Sequence, residues 1–546
     1  MNVLRFSKKY FENQKKHLFL YIFLSVIGVV ISIVSPYVLG DFVDTLVAGA
    51  VTEDIVRFCY LFGIICVSKI IKDYWLTMIS TKLQTKLSYS LNMDIIKHIQ
   101  RIPLMEMAHT DDAYLNQRIN GDVYTIISFD LTYISDMLTS IPLLIGALCV
   151  LYTINRFVLL VLGAFVVVYM TVYALMKEPI YKAGLACRES VAKFYSSLFE
   201  QLEFTEKIKI DATQEIFNGR AEKAFVRYFK TMIKSQRINY FNSGIDGIIA
   251  TLAQMTLFAV GGLLVIRGQF SIGLFTVFSN YFKLMLGSVR TIFSLASLRQ
   301  TTMASYDRIN AILNIKEETN GDIKLSSIDA IDLRNVTFSY KENGSDDAAT
   351  IKMFSHTFSK GNMYALVGRN GIGKTTLTKL LIGLYGAANG EIRYNGYPLE
   401  TIDMCSARRS LIGYAEQTPL LIEDSIYYNL TYDEGGKNSD KDKLNEYVNI
   451  LNMNSFIEKN GYSLKINRGG VNLSGGEKQR LGLVKTLNKG ADFLVLDEPT
   501  SALDKETKGK LLKYLNELKK DRIILVVTHD SEVLSYCDEV VELMAS

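Results

Sequence analysis

The six cysteines, Cys59, Cys66, Cys149, Cys187, Cys405 and Cys537, are scattered along the chain, and no Cys-x-x-Cys pair occurs. On sequence grounds this excludes a zinc ribbon and a disulfide framework, and it suits a reducing compartment. Excess charge is missing as well: 60 Lys and Arg against 56 Asp and Glu leave a formal +4 over 546 residues. Nucleic-acid binders concentrate positive charge on one face, so no nucleic acid is expected as a partner. The apolar run Leu18 to Val34 follows Lys8, Lys9, Lys15 and Lys16 like the core of a secretory signal, but it lacks a small-residue cleavage site and continues through Ser35-Pro36-Tyr37. A signal is shorter and ends at such a site, so the run is expected to stay as a membrane span.

Apolar runs are abundant up to about residue 310, and a span needs about 20 mainly apolar residues. Six are expected, near 18–40, 55–76, 132–153, 157–177, 246–266 and 272–293. The links after the first, third and fifth hold almost no Lys or Arg. The links after the second and fourth hold Lys82, Lys86, Lys97, Arg101 and Arg118, then Lys182, Arg188, Lys193, Lys207, Lys209, Arg220, Lys223 and Arg227. Basic loops stay in the cytoplasm, so both termini are expected there. The two basic links have no Pro/Gly-rich stretch and keep a helical mixture of apolar and charged residues, so the spans are expected to run on into the cytosol. Each pair then needs a turn, at His109 to Gly121 and at Thr205 to Asn218.

Charges at membrane depth need a reason, because an ionised side chain at the bilayer centre costs about 2.5–3.5 kcal/mol on insertion scales. Lys283 falls near the middle of the sixth run, and Asp136, Asp246, Lys72 and Asp73 fall nearer span ends. Three readings of Lys283 stay open: it meets an acidic group of a cargo in a watery cavity, it pairs with a protein carboxylate, or it snorkels to the interface.

Gly368-Arg-Asn-Gly-Ile-Gly-Lys374-Thr375 fits G-x-x-x-x-G-K-[ST], between an apolar strand-like run, Tyr364 to Val367, and a helix-like run, Leu377 to Leu384. Backbone N–H groups of such a loop close around a phosphate chain, Lys374 reaches the outer phosphates, and Thr375 holds Mg²⁺. Gly368, Asn370, Gly371, Gly373, Lys374, Thr375 and Thr376 are therefore the expected ATP-binding residues. Phe493-Leu-Val-Leu-Asp497-Glu498 reads as a buried parallel strand with two carboxylates at its end. Asp497 suits Mg²⁺, and Glu498 suits the polarisation of an attacking water.

The chain resembles the exporter-type ATP-binding cassette transporters over nearly its whole length. The resemblance rests on Leu473-Ser474-Gly475-Gly476-Glu477, on Pro499 to Asp504 after the paired acids, and on Arg101-Ile-Pro103 with Tyr114-Leu-x-x-Arg118-Ile-x-x-Asp122 in the first basic link. It implies that Ser474, Gly475 and Gly476 bind the γ-phosphate of ATP held by an opposite subunit. It implies further that Gln417 senses Mg²⁺, that His529 contacts the γ-phosphate, and that Asp504 faces the partner. Tyr340 would stack on adenine, with a plain sheet residue as the alternative. Two departures stand out: Arg468 where such exporters commonly carry a glutamate, and Glu477 where glutamine is commoner. Because Glu498 and His529 are present, the catalytic half is expected to be intact.

The expected architecture is a multi-domain membrane protein: an all-α six-helix transmembrane domain followed by an α/β P-loop ATPase domain. An elbow covers 1–16, the transmembrane domain 17–312, a linker 313–328 and the nucleotide-binding domain 329–546. The implied function is ATP-driven export of a peptide or amphipathic small molecule across the plasma membrane, by a homodimer or with a second half-transporter. With only the elbow before the first span, leader-peptide cleavage is not expected. Lipid flippase, multidrug exporter and exporter-fold importer remain alternatives, as does an ATP-gated channel or regulatory subunit.

Overall fold

The computed structural model describes residues 2–107, 115, 118–340, 350–433 and 441–543. It divides into two compact units, Met1–Ile99 with Asp112–Asn314, and Gln100–Asp111 with Ile315–Ser546. In the first, the described segments are helical: α1 (Asn2–Glu12), α2 (Lys15–Val47), α3 (Thr52–Ile99), then, beyond α4 (Leu104–Met107) of the second unit, α5 (Val123–Ile154), α6 (Arg156–Glu203), α7 (Thr205–Ile210), α8 (Gln214–Ile266) and α9 (Ile272–Leu313). At about 1.5 Å per residue, α3 with 48 residues reaches about 72 Å, far beyond a hydrocarbon core of about 30 Å.

Among the described residues, five stretches are long and apolar enough to cross a membrane: Lys15–Val47, Ile119–Ile154, Gly163–Glu203, Gln214–Ile266 and Ile272–Ala296. The expected run at 55–76 is not among them, because Arg57, Lys69, Lys72 and Asp73 interrupt it. Short α7 joins α6 to α8, with Ala212 at φ +52° in the turn. Most of the other expected turn, His109 to Gly121, lies outside the described residues, as does Tyr114.

Burial in α3 recurs every fourth residue, at Ile79, Leu83, Leu87, Leu91 and Ile95, which makes one apolar stripe. That stripe packs with Val123, Ile126 and Ile127 of α5 and with Val3, Tyr10 and Phe11 of α1. Asp122, at the start of α5, accepts from Nε and Nη2 of Arg308 on α9 at 2.9 and 2.6 Å and from Oγ of Ser305 at 2.8 Å. At the other end of α9, the Gly273 N–H donates to Asp44 of α2 at 2.6 Å, and Ser271 Oγ donates to the same carboxylate at 2.5 Å. Here the two helices meet backbone to backbone: a Cβ on Gly273 would overlap the Gly40 carbonyl oxygen and the Asp44 carboxylate. Small residues allow such approach between membrane helices. Gly273→Leu is therefore expected to cost about 1–3 kcal/mol or more through overpacking. A clear fall in the melting temperature of the detergent-purified chain checks this, and an unchanged value contradicts it.

The second unit holds two sheets. β1 (Ala330–Phe338), β2 (Ile351–Ser359), β4 (Asn389–Tyr394) and β5 (Tyr397–Pro398) form an antiparallel sheet in the order β2-β1-β4-β5. β3 (Met363–Val367), β6 (Ile412–Ala415), β7 (Phe493–Asp497), β8 (Ile523–Val527) and β9 (Glu539–Glu542) form a parallel sheet in the order β6-β7-β8-β3-β9. Every residue of β8 is buried, as are the first four of β3 and of β7, as continuous apolar runs in a sheet covered on both faces require. Within the expected linker 313–328, Gly321 and Ile323 are hydrogen-bonded onto this unit: their N–H groups donate to the carbonyls of Ile402 and Thr401, both at 3.0 Å. The same unit includes α4, whose Leu104 and Met105 pack on its core, while Glu318 N–H donates to Arg101 O at 2.7 Å.

Candidate functional site

In a parallel sheet all strands point one way, so the loops leaving the strand ends collect at one edge, where α/β proteins bind ligands. Four neighbouring strands bring chemistry there. Gln417 follows β6, Asp497 and Glu498 end β7, His529 follows β8, and Gly368 to Gly373 follow β3 before α10 (Lys374–Leu381). Gly368, Gly371 and Gly373 have φ of +151°, +79° and +112°, the left-handed region in which a side chain is strained. Lys374 Nζ donates back to Gly368 O at 2.6 Å and lies 2.8 Å from His529 Nε2. An ammonium has only donors, so Nε2 of His529 is the acceptor in that contact.

Tyr340 stands just past β1, half-exposed, with its ring edge-on to Phe338 and Tyr385 at centroid distances of 5.2 and 5.9 Å. Its hydroxyl is hydrogen-bonded to Thr376 Oγ1 at 2.8 Å, which fixes the ring relative to the first turn of α10. Sequence reading missed this tether, since the two residues are 36 positions apart.

Glu498 has φ +44°, uncommon for a side-chain-bearing residue and costing of order 1–3 kcal/mol unless its surroundings hold it. They hold it at three points. Its N–H donates to Val527 O at 2.9 Å, its carbonyl accepts from Gln479 Nε2 at 2.8 Å, and its carboxylate accepts from Gln417 Nε2 at 2.7 Å. Burial pushes the neighbouring Asp497 carboxyl above the usual range, the charge of Glu498 adds to that, and Lys374 opposes it. Thr375 is exposed at the start of α10. No cluster of three His, Cys, Asp or Glu is present among the described residues.

Ser474 caps a helix, Gly475–Asn488, in a reciprocal box: its Oγ accepts from Glu477 N–H at 3.3 Å, and Glu477 accepts from the Ser474 N–H at 2.7 Å. Glu477 also accepts from the Ser474 hydroxyl at 2.7 Å, so the unusual glutamate orients the serine. One turn into this helix lies Gln479, buried and not singled out by sequence reasoning. Besides Glu498 O, it bonds Ser501 Oγ at 2.9 Å and accepts from Ala502 N–H at 3.0 Å, tying the Ser474–Gly476 segment to the loop after β7. Asp504 ends that loop and caps the helix Lys505–Leu518, accepting from the Thr507 N–H and hydroxyl at 3.1 and 2.7 Å. Those bonds hold its carboxyl below the usual range. From the same helix Lys508 pairs with Asp530 at 2.5 Å and Glu532 at 2.7 Å, anchoring the residues after His529.

The predicted residues thus form two groups. Tyr340, Gly368, Asn370, Gly371, Gly373, Lys374, Thr375, Thr376, Gln417, Asp497, Glu498 and His529 gather at the sheet edge; Ser474, Gly475, Gly476 and Asp504 stand at two helix starts linked to it through the Glu498 loop. Lys283 belongs to the first unit. If Gln479 holds Glu498 in its strained geometry, Gln479→Leu lowers kcat for ATP about tenfold and leaves KM within about twofold. Parallel loss of both, or no loss, would contradict that role.

Two family descriptions match the chain: "ABC transporter transmembrane region" over residues 18–289 and "ABC transporter" over residues 351–501. The chain is 22% identical to a putative multidrug export ATP-binding/permease protein, YgaD, of Bacillus subtilis, covering 99% of this chain and 94% of that one. It is 26% identical to an ATP-dependent lipid A-core flippase of Desulfotalea psychrophila, covering 96% and 91%. Among solved structures, a bacterial Atm1-family ABC exporter with ATP bound superposes with a TM-score of 0.85 at 17% identity, covering 97% of this chain and 93% of that one.

Proposed function

Because this chain belongs to the ATP-binding cassette transporters, with membrane region and ATPase domain fused in one polypeptide, we propose that it pumps a peptide or amphipathic small molecule out across the plasma membrane as a homodimer. It couples ATP hydrolysis to transport. The observation that carries the reading is the delivery of Gln417, Asp497 with Glu498, His529 and the phosphate loop from four adjacent strands to one edge.

In this reading the loop N–H groups and Lys374 bind the phosphates, and Tyr340 offers its ring to adenine. Glu498 takes the proton of the attacking water, and His529 meets the γ-phosphate. Thr375, Gln417 and Asp497 are a donor set that Mg²⁺ accepts beside phosphate oxygens, and the ion would neutralise phosphate charge. Ser474, Gly475, Gly476 and Asp504 serve the ATP held by the second copy. The residue division into elbow, transmembrane domain, linker and nucleotide-binding domain belongs to the same reading. So does α3 as a sixth span: Lys72 pairs with Asp73 at 2.5 Å, so those two charges offset each other within its apolar part. The basic links support a cytoplasmic position for both termini.

Multidrug export and lipid flipping are named for relatives, and either fits an amphipathic cargo. Intact Glu498 and His529 speak against a pure ATP-gated switch. ATP hydrolysis by the purified chain in lipid nanodiscs, over a panel of peptides, hydrophobic cations and lipids, tests the proposal. Dose-dependent stimulation by one class is expected; negligible turnover under every condition would contradict a working homodimer.

A further inference from the structure

Of the charged side chains in the apolar runs, some find partners. Lys72 pairs with Asp73, and Asp246 of α8 lies 4.0 Å from Arg290 of α9. Lys283 and Asp136 make no ion pair among the described residues. Lys283 stands near the middle of Ile272–Ala296, and Asp136 lies within Ile119–Ile154, nearer the start of the run 132–153. Both nevertheless line one open recess of about 270 Å³ between α5 and α9, in which Lys283 is exposed and Asp136 partly buried.

The rest of its wall is rich in hydroxyls, from Thr139 and Ser140 on α5 and Ser288 and Thr291 on α9. Thr139 and Thr291 donate to the carbonyls of Ser135 and Gly287 on their own helices, at 2.9 and 3.1 Å. Their oxygens therefore offer the cavity lone pairs rather than protons. Asp136 with such oxygens suits an ammonium group, and Lys283 suits a carboxylate or phosphate. Two unpaired charges of opposite sign at this depth are costly unless something answers both. Pockets for whole drug-sized ligands run about 300–1,000 Å³, so this cavity takes only the polar end of a larger molecule.

We propose that Lys283 and Asp136 form a cargo subsite for a zwitterionic polar end, an anionic and an ammonium group carried together on an amphipathic molecule. The inference rests on the transport function above and narrows its cargo. A zwitterionic lipid headgroup and a hydrophobic peptide with free ends share this chemistry.

The test uses the full chain in uncharged maltoside micelles with four probes: lysophosphatidylethanolamine, a hydrophobic tripeptide with free ends, lysophosphatidic acid and dodecylammonium. Two readouts are taken, the concentration giving half-maximal stimulation of ATP hydrolysis and the ligand-induced rise in melting temperature. One or both zwitterions are expected to act at least tenfold below either singly charged probe, and whichever does identifies the source. Lys283→Met and Asp136→Asn, near in size to the originals, should each raise the zwitterion's half-maximal concentration about tenfold. The exchange Lys283→Asp with Asp136→Lys should recover most of that loss. Equal potency of all four probes, or a zwitterion response within twofold of normal in both single variants, would overturn the subsite while leaving the pump in place. Absence of ATP hydrolysis would instead overturn the working homodimer, and the melting shifts would still decide the subsite.

Discussion

Replacing Glu498 with Gln lowers ATP turnover by about 10²- to 10⁴-fold, the range for loss of a positioned general base, while ATP affinity stays within about threefold. The contrast comes from how the residue is held. Its backbone is fixed by Val527 O and Gln479, neither of which touches its carboxylate, so the amide keeps the loop geometry and loses only the proton acceptor. The bond from Gln417 Nε2 at 2.7 Å survives on the amide oxygen. In the proposed site, phosphate binding falls to Lys374 and the loop glycines, which the change does not reach. Turnover by a coupled phosphate assay and affinity by a fluorescent nucleotide give the two numbers. A variant retaining more than about a tenth of normal turnover would show that another group takes the proton.

Replacing Arg308 with Ala is expected to destabilise the membrane unit by about 1–3 kcal/mol, because it takes charge-assisted bonds from a buried carboxylate while the guanidinium itself is partly exposed and screened. Asp122 is only 6% exposed, and its carboxylate takes two bonds from the guanidinium and one from Ser305. Without Arg308 this mostly buried carboxylate loses its two guanidinium bonds, and the Ser305 hydroxyl remains among its partners. The fork reaches both carboxylate oxygens, so Arg308→Lys recovers only part of the loss. Asp122→Asn on the Arg308→Ala background should regain stability, because it removes the stranded charge. Denaturation of the detergent-solubilised chain measures all three, and a melting temperature within about 2 °C of normal for Arg308→Ala would show that the pair contributes little.

Much of the candidate site is legible because its parts are contiguous: a loop with a fixed glycine spacing, two acids ending one apolar run, a Ser-Gly-Gly before a helix. Contacts made only by folding are not. Gln479 reads as one polar residue of a helix until β7 brings the Glu498 loop beside it, and nothing near Lys508 announces Asp530 and Glu532. Composition also said nothing of how the linker 313–328 is held: Gly321 and Ile323 within it bond to the ATPase unit through backbone groups, which any side chains allow. In α3, hydrophobicity summed over 55–76 suggests a span while Arg57, Lys69, Lys72 and Asp73 keep it from qualifying by apolarity alone. Lys283 was visible in the sequence as a charge at membrane depth. That Asp136 shares its cavity required the packing of α5 on α9.

The central claim is that ATP hydrolysis moves cargo outward, and inside-out membrane vesicles containing this chain test it most directly. ATP should drive a labelled cargo, identified in the stimulation panel, into the vesicles above its outside concentration, and Glu498→Gln should abolish that accumulation. ATP hydrolysed at full rate with no accumulation of a cargo that stimulates it would contradict the account.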